Sequence, residues 1–258
     1  MVGLPGKRLL GQYSIVRPIA HGAVATVYLA FDDAGSPYAV KVFPRGFAAR
    51  ADREWRVGHA LNHEHVNPVL ERFDIDDYPA VLMEYAPGSR LSDMPQLPAD
   101  RFLNIFFQLL AALAHLHELG FVHRDVKPEN LIVDSDDTAR LIDFDLSGPQ
   151  DEPVGKLRLG TIAYIAPEQV RGEGISPASD LYAAGVILYW GLTGELPYVG
   201  DPRAVMNSHL HDPLPEREGI VNGSPLDSFL TRLTAKDPAD RFQNAGEALA
   251  EFNKLTRG

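Results

Sequence analysis

The chain is predicted to fold as an α+β protein with two lobes, a small, mostly β N-terminal lobe (1–86) and a larger, mostly α C-terminal lobe (87–258). Three features lead there. Short alternating runs rich in β-branched and aromatic residues crowd the first third of the 258 residues. Beyond them, apolar residues recur at helical spacing. The change falls at Ala86-Pro87-Gly88, where proline and glycine end the last of the early runs.

In chain order, strand character is found at Tyr13 to Ala20, Ala25 to Phe31, Pro37 to Phe43, Val69 to Ile75 and Tyr78 to Tyr85. Turn signals such as Asp32-Asp33-Ala34-Gly35 separate them. One helical segment, Phe47 to Leu61, interrupts the series. Downstream, helices are predicted near Ala99 to Leu119, Pro177 to Leu192, Ser224 to Leu233 and Ala245 to Lys254. A short strand pair, Leu131 to Val133 and Ala139 to Ile142, lies between the first two. Ser147 to Leu159 has no periodicity and follows a run of charged residues, so it reads as a functional loop, with a plain surface connection as the alternative.

Composition narrows the function. With 45% hydrophobic residues the chain can bury a substantial core, and its length fits one large domain or two small ones. A net charge of −11 and a pI near 5.2 argue against a general nucleic-acid or anionic-membrane surface, so neither is expected as a partner. Zero cysteines exclude disulfides, cysteine-ligated clusters and thiol nucleophiles, and fit a reducing compartment, with the cytoplasm as default. The N-terminus MVGLPGKRLLGQYS lacks a secretory pattern. The longest apolar windows, Phe102 to Leu116 and Leu181 to Leu192, fall short of the roughly 20 residues a membrane span needs.

The segment His123-Arg124-Asp125-Val126-Lys127-Pro128-Glu129-Asn130 packs a carboxylate, an ammonium and an amide into one loop between a helix and a strand. Each suits a task in phosphoryl transfer. Asp125 could accept the proton of a substrate hydroxyl, Lys127 could neutralise charge on the moving group, and Asn130 could hold a hard cation through its amide oxygen. Asp143-Phe144-Asp145 follows the strand pair, where Asp143 could reach a metal on the ATP phosphates and Phe144 could pack inward. In Tyr38-Ala39-Val40-Lys41-Val42, alternation puts Ala39 and Lys41 on one face and Tyr38, Val40 and Val42 on the other. An inward lysine needs an anionic partner, and Glu54, in the one helix of this lobe, is the best candidate. That pair could aim Lys41 at the α- and β-phosphates. The turn Ile19 to Val27 holds small residues that let backbone amides approach phosphates. Each feature alone has a plain alternative: a charged loop, an ordinary aspartate, a solvated lysine, a hairpin.

Taken together, the glycine-containing turn, strand lysine, helix glutamate, HRDVKPEN, DFD and Ala166-Pro167-Glu168 resemble the protein kinase family over nearly the whole chain. Lys127 and the Gly160-Thr161 pair before Ala166 resemble serine/threonine rather than tyrosine kinases, and Leu61-Asn62-His63 resembles the bacterial eukaryotic-like branch. The resemblance implies the bilobal kinase fold over residues 1–258. It implies transfer of the ATP γ-phosphoryl group to Ser or Thr of a protein substrate, with magnesium or manganese at Asn130 and Asp143. ATP would be bounded by Ile19 and Gly22. Val27, Ala39 and Ile132 would sandwich the adenine, Met83 would be the gatekeeper, and the Glu84 carbonyl and Ala86 amide would hydrogen-bond its edge. Glu168 would pair with Arg241, and Asp180 would brace the catalytic-loop backbone.

Three departures from the family pattern stand out. The three loop-glycine positions hold Ala20, Gly22 and Ala25, and alanine reaches positive φ only at a cost, so a stiffer loop is expected. Asp145 replaces the glycine after Asp-Phe. As an aspartate it would tolerate the left-handed turn, and it could add a metal ligand or raise a neighbour's pKa. Between Gly148 and Gly160 there is no Ser, Thr or Tyr, so Asp151 or Glu152 is expected to stand in for a loop phosphate opposite Arg124. These departures keep a nucleotide-binding pseudokinase open as the alternative. The pairs His63/His65, His115/His117 and His209/His211 read as structural rather than zinc-binding: His115 and His117, at i, i+2 on a helix, diverge, and His63 and His117 match positions where the family resembled often has histidine. The acidic spots at Asp32/Asp33 and Asp74/Asp76/Asp77 read as solvated turns.

Overall fold

The computed structural model describes residues 4–150, 159–216 and 220–257. Its N-terminal part is built on one six-stranded antiparallel sheet in the order β1-β2-β3-β4-β6-β5. The strands are β1 (Arg8–Leu9), β2 (Tyr13–His21), β3 (Thr26–Phe31), β4 (Pro37–Val42), β5 (Val69–Ile75) and β6 (Tyr78–Glu84), with helix α1 (Ala48–Ala60) packed on β5 and β6. The period-2 pattern decides the faces. Val40 and Val42 join Ile15, Tyr28, Ala30 and Leu82 in an outer core, while Ala39, Val81 and Met83 join the main core beneath α1.

The remainder is helical: α2 (Ala99–Glu118), α3 (Pro167–Arg171), α4 (Pro177–Thr193), α5 (Pro202–His211), α6 (Pro225–Leu233) and α7 (Ala245–Arg257). Helix α4 is apolar all round and buried along most of its length, as such a helix must be. It packs on α2, where Gly191 lies against the Phe102 ring, and α7 covers α2 through Phe252 and Phe106, ring centroids 5.2 Å apart. Small strands lace the junction: β7 (Ser89–Arg90) pairs with β9 (Leu131–Val133), β9 with β10 (Ala139–Leu141), and β8 (Phe121–Val122) with β11 (Gly148–Pro149). Gly88 is required just before β7. Its φ is +120°, and a Cβ there would stand 2.9 Å from the Asp134 Cα.

The predicted strands and helices are present, with ends shifted by up to three residues. Helix α5 escaped the periodicity reading because of its ten residues only Val205 and His209 are buried. Its start was nonetheless written in the sequence: Asp201 accepts from the Arg203 and Ala204 amides, and Pro202 opens the first turn. Among the described residues, no helix is long and apolar enough to cross a membrane.

Two buried polar contacts tie the helical part together. Arg241 donates to both oxygens of Glu168 at 2.7 and 2.9 Å, with both side chains essentially inaccessible. His209 sits beneath α4, its Nδ1 2.9 Å from the Tyr182 hydroxyl, beside the Lys236 ammonium that donates to the His209 carbonyl at 2.8 Å. Burial, with the Lys236 charge second, holds the His209 imidazole down to about 4.

Removing one member of the Arg241–Glu168 pair leaves an uncompensated buried charge, so Arg241→Ala should lower unfolding free energy by about 3–5 kcal/mol in urea titration. His209 is neutral when folded and takes up a proton on unfolding below its ordinary value near 6.5. Stability should therefore fall as pH drops from about 6.5 to about 4, by up to roughly 3 kcal/mol from this residue, and the slope should flatten in His209→Asn.

Candidate active site

Strand alternation turns Lys41 inward beside Ala39, where the chain is dry and the ammonium must find counter-charge. Three carboxylates supply it. Lys41 Nζ donates to Glu54 Oε2 and to Asp143 Oδ1, each at 2.7 Å, and lies 3.6 Å from Asp145 Oδ2. Glu54 reaches it from the buried face of α1, and its other oxygen accepts the Phe144 backbone N–H at 3.1 Å. One glutamate thus joins the sheet lysine to the segment after β10. Phe144 is fully buried and meets the His123 ring edge-on at 5.5 Å.

The second group is the loop after β8. Asp125 Oδ2 accepts from Lys127 Nζ at 2.5 Å and from Asn130 Nδ2 at 3.3 Å, and Asn130 Nδ2 also donates to the Asp125 carbonyl at 2.8 Å. This loop is held from below. The Asp180 carboxylate, at the start of α4, accepts the His123 and Arg124 backbone amides at 2.7 and 2.8 Å. His117 donates to Asp180 from Nε2 at 3.0 Å and accepts the Ala245 N–H at Nδ1, so both its nitrogens are engaged. His115 diverges from it, as i, i+2 spacing requires, and stacks on His63. The two groups are stitched by the Ile142 N–H, which donates to the Asn130 carbonyl at 2.9 Å.

The remaining predicted residues are gathered by the sheet. Val27 sits opposite Lys41 across β3 and β4, and Ala39 opposite Met83 across β4 and β6. Ile19 is half-buried in β2, Ala86 half-buried in the segment after β6, and Ile132 half-buried in β9. Gly22 closes its hairpin with an N–H to the Ala25 carbonyl at 2.9 Å. The Glu84 carbonyl accepts from Asn67 Nδ2 at 3.0 Å, a buried partner that nothing in the sequence had marked.

Electrostatics follow from this crowding. Burial opposes charge on Lys41, but the carboxylates of Asp143, Glu54 and Asp145 outweigh it and hold the ammonium well above the ordinary lysine range. Burial also opposes charge on Asp143, yet Lys41 pulls it down to about 2, so it is fully ionised at neutral pH. Burial pushes Glu54 up to about 7, with the Asp143 and Asp145 charges adding to the effect and Lys41 resisting it. Asp145 is raised by burial and by Asp143, against Lys41 and Arg50.

Two expectations need correction. Ala20, Gly22 and Ala25 all lie outside the positive-φ region, so the alanines cost this loop no backbone strain. Asp145 does not take the left-handed turn either; the positive φ is at Asp143 (70°). Asp151 and Glu152 lie outside the described residues. Arg124 donates to the backbone carbonyls of Leu146 and Pro149.

Glu54, Asp143 and Asp145 offer oxygens within 4.8 Å of one another, a grouping that can suit a cation. The Lys41 ammonium already stands among them, and both Glu54 oxygens are taken. Asp143 differs: Lys41 and the Asp145 N–H both engage Oδ1, and Oδ2 takes part in neither contact. Asn130 turns its NH2 to Asp125, which directs its amide oxygen away. An ionised carboxylate oxygen and an amide oxygen are hard donors that fit a divalent cation such as magnesium.

A sheet lysine clasped by a helix glutamate, facing a loop carboxylate backed by lysine and asparagine, defines a phosphate-handling enzyme class. The chain belongs to the protein kinase domain family, whose model matches residues 13–251. It is 31% identical to the serine/threonine-protein kinase PrkC of Bacillus subtilis, over 96% of this chain and 41% of that protein. It is 34% identical to PknE of Mycobacterium tuberculosis, over 93% of this chain and 45% of PknE. Identity is also 34% to the DNA damage-responsive serine/threonine-protein kinase RqkA of Deinococcus radiodurans, over 98% of this chain and 41% of RqkA. The chain thus spans less than half the length of these relatives.

Helix α1 approaches closely because residue 58, one turn beyond Glu54, is glycine. A Cβ at Gly58 would fall 2.9 Å from the Val69 Cβ and 3.1 Å from the Phe144 ring. Gly58→Ala should therefore cost about 1–3 kcal/mol of stability in urea titration despite alanine's better helix propensity.

Proposed function

We propose that the chain transfers the γ-phosphoryl group of ATP to serine or threonine hydroxyls of a protein substrate. The observation that carries this reading is the pairing of Lys41 with Glu54 and Asp143 alongside an Asp125–Lys127–Asn130 cluster. Residues 1–86 and 87–258 are taken as the two lobes of one domain, with Ile19, Gly22, Val27, Ala39, Met83, Glu84, Ala86 and Ile132 around the nucleotide. The lack of cysteine supports a reducing, cytoplasmic setting.

Each residue has a task its contacts allow. Glu54 keeps Lys41 extended toward the α- and β-phosphates rather than folded onto the sheet. Asp125, its carboxylate oriented by Lys127 and Asn130, accepts the hydroxyl proton as the oxygen attacks. Lys127, 2.5 Å from Asp125, follows the charge as it moves to the transferring group. Asn130 and Asp143 would hold magnesium or manganese, which when bound neutralises charge on the phosphate oxygens. Asp180 keeps the loop backbone in register for all of this, without touching substrate.

With γ-labelled ATP, magnesium and a generic protein substrate, wild type should incorporate label, and Asp125→Asn and Lys41→Met should each lose about 100-fold or more. Equal incorporation by all three would sink the enzyme reading. Nucleotide binding with no label transfer would make the chain a nucleotide-binding scaffold instead.

A further inference from the structure

Asp145 stands where the family pattern has glycine, and its carboxylate is shared between two cations from different elements. Oδ2 lies 3.2 Å from Arg50 Nη1 and 3.6 Å from Lys41 Nζ, while Oδ1 lies 3.4 Å from the same Arg50 nitrogen. All three side chains are largely shielded from water: 10% exposed for Asp145, 18% for Arg50 and 8% for Lys41. Two cations already neutralise this carboxylate, which makes it a poor ligand for a third.

Arg50 is four residues before Glu54 on α1, so the two side chains lie one above the other on the same side of the helix. Helix α1 is therefore fastened to consecutive residues of the Asp143-Phe144-Asp145 segment at two points: Arg50 to the Asp145 carboxylate, and Glu54 to the Phe144 amide. A single tether to this segment fixes one distance. Two tethers about 6 Å apart along the axis also fix its rotation. Glycine at position 145 would supply only the second.

The setting gives such a fastening a purpose. No residue between Gly148 and Gly160 can be phosphorylated on a hydroxyl, and Arg124 donates to the backbone carbonyls of Leu146 and Pro149. We propose that Arg50 and Asp145 are positioning residues, whose ion pair, closed on Lys41, holds α1 so that Glu54 stays on Lys41 without a phosphate on the loop. This rests on the phosphoryl-transfer reading above.

The test uses the full chain after phosphatase treatment, checked by mass spectrometry to carry no phosphate, and compares wild type with Arg50→Gln, Arg50→Lys, Asp145→Asn and the double Arg50→Gln/Asp145→Asn. Two quantities are read: steady-state kcat and KM for ATP, and amide hydrogen exchange over residues 48–60 without nucleotide. Wild type should be active unphosphorylated. Arg50→Gln and Asp145→Asn should each lower kcat by on the order of tenfold, about 1.4 kcal/mol, with a smaller change in KM. The double variant should be no worse than the poorer single one, and Arg50→Lys should recover most of kcat. Exchange over residues 48–60 should quicken in the neutralised variants, while helix α4 keeps its protection. Wild-type kcat and exchange in Arg50→Gln, or losses that multiply in the double variant, would overturn the proposal. Wild type that transfers phosphate only before phosphatase treatment would also overturn it. Should the untreated chain transfer none either, the functional reading fails, and the exchange comparison still decides whether the ion pair holds α1.

Discussion

Lys41 buries an ammonium in the N-terminal half, and the surrounding architecture can be read as the response to that charge. An unpaired buried ammonium is costly by several kcal/mol, so strand β4 cannot take its place in the sheet unless anions come to it. They arrive from two elements distant in sequence, Glu54 from α1 and Asp143 with Asp145 from the segment after β10. Their convergence draws α1 against β5, brings the Phe144 amide to Glu54, and closes the sheet onto the helical half. Gly58 belongs to the same requirement, because the helix could not come close enough to deliver Glu54 if residue 58 carried a side chain.

The catalytic-loop cluster is anchored by different means. Asp125, Lys127 and Asn130 are near neighbours in sequence and make their contacts locally, but the backbone beneath them is held by Asp180 from α4, itself bonded by His117 from α2. Positive φ at Arg124 (71°) and Asp143 (70°) falls at the two places where the chain turns to present a functional carboxylate. Backbone conformations that cost energy are tolerated where surrounding contacts over-determine them. Here those contacts are the Asp180 carboxylate for Arg124 and the Lys41 ammonium for Asp143. The two charged groups therefore differ in origin: one is assembled across the fold, the other is built locally and then braced.

Much of this was legible in the residues. Alternation placed Ala39 and Lys41 on one face, helical spacing placed Glu54 in α1, and the order of motifs named the family. Backbone conformation is not legible from residue type at three positions. Alanine at positions 20 and 25 and aspartate at 145 suggest a turn or a cost at positive φ, a conformation that none of the three adopts. Arg50 went unnoticed because an arginine in the first turn of a short helix looks like any solvated charge. Its position four residues before Glu54 was the available clue. Asn67 offers no clue, since it lies just outside β5 and its bond to the Glu84 carbonyl closes the base of the β5–β6 hairpin with a side chain whose direction no local pattern specifies.

The sequence by itself determined the kinds of element, the face each functional side chain takes within its own element, and the chemical inventory of the site, because periodicity and side-chain chemistry are local properties. Only the tertiary structure decided which charges meet. Asp145 is an example: as a residue it is compatible with a metal ligand, a tolerated turn or a charge that raises a neighbour's pKa. Its place between Lys41 and Arg50, 3.6 and 3.2 Å away, comes from packing a helix and a strand from elsewhere in the chain against it. Pairings of that kind depend on distances through space, which no spacing along the chain encodes.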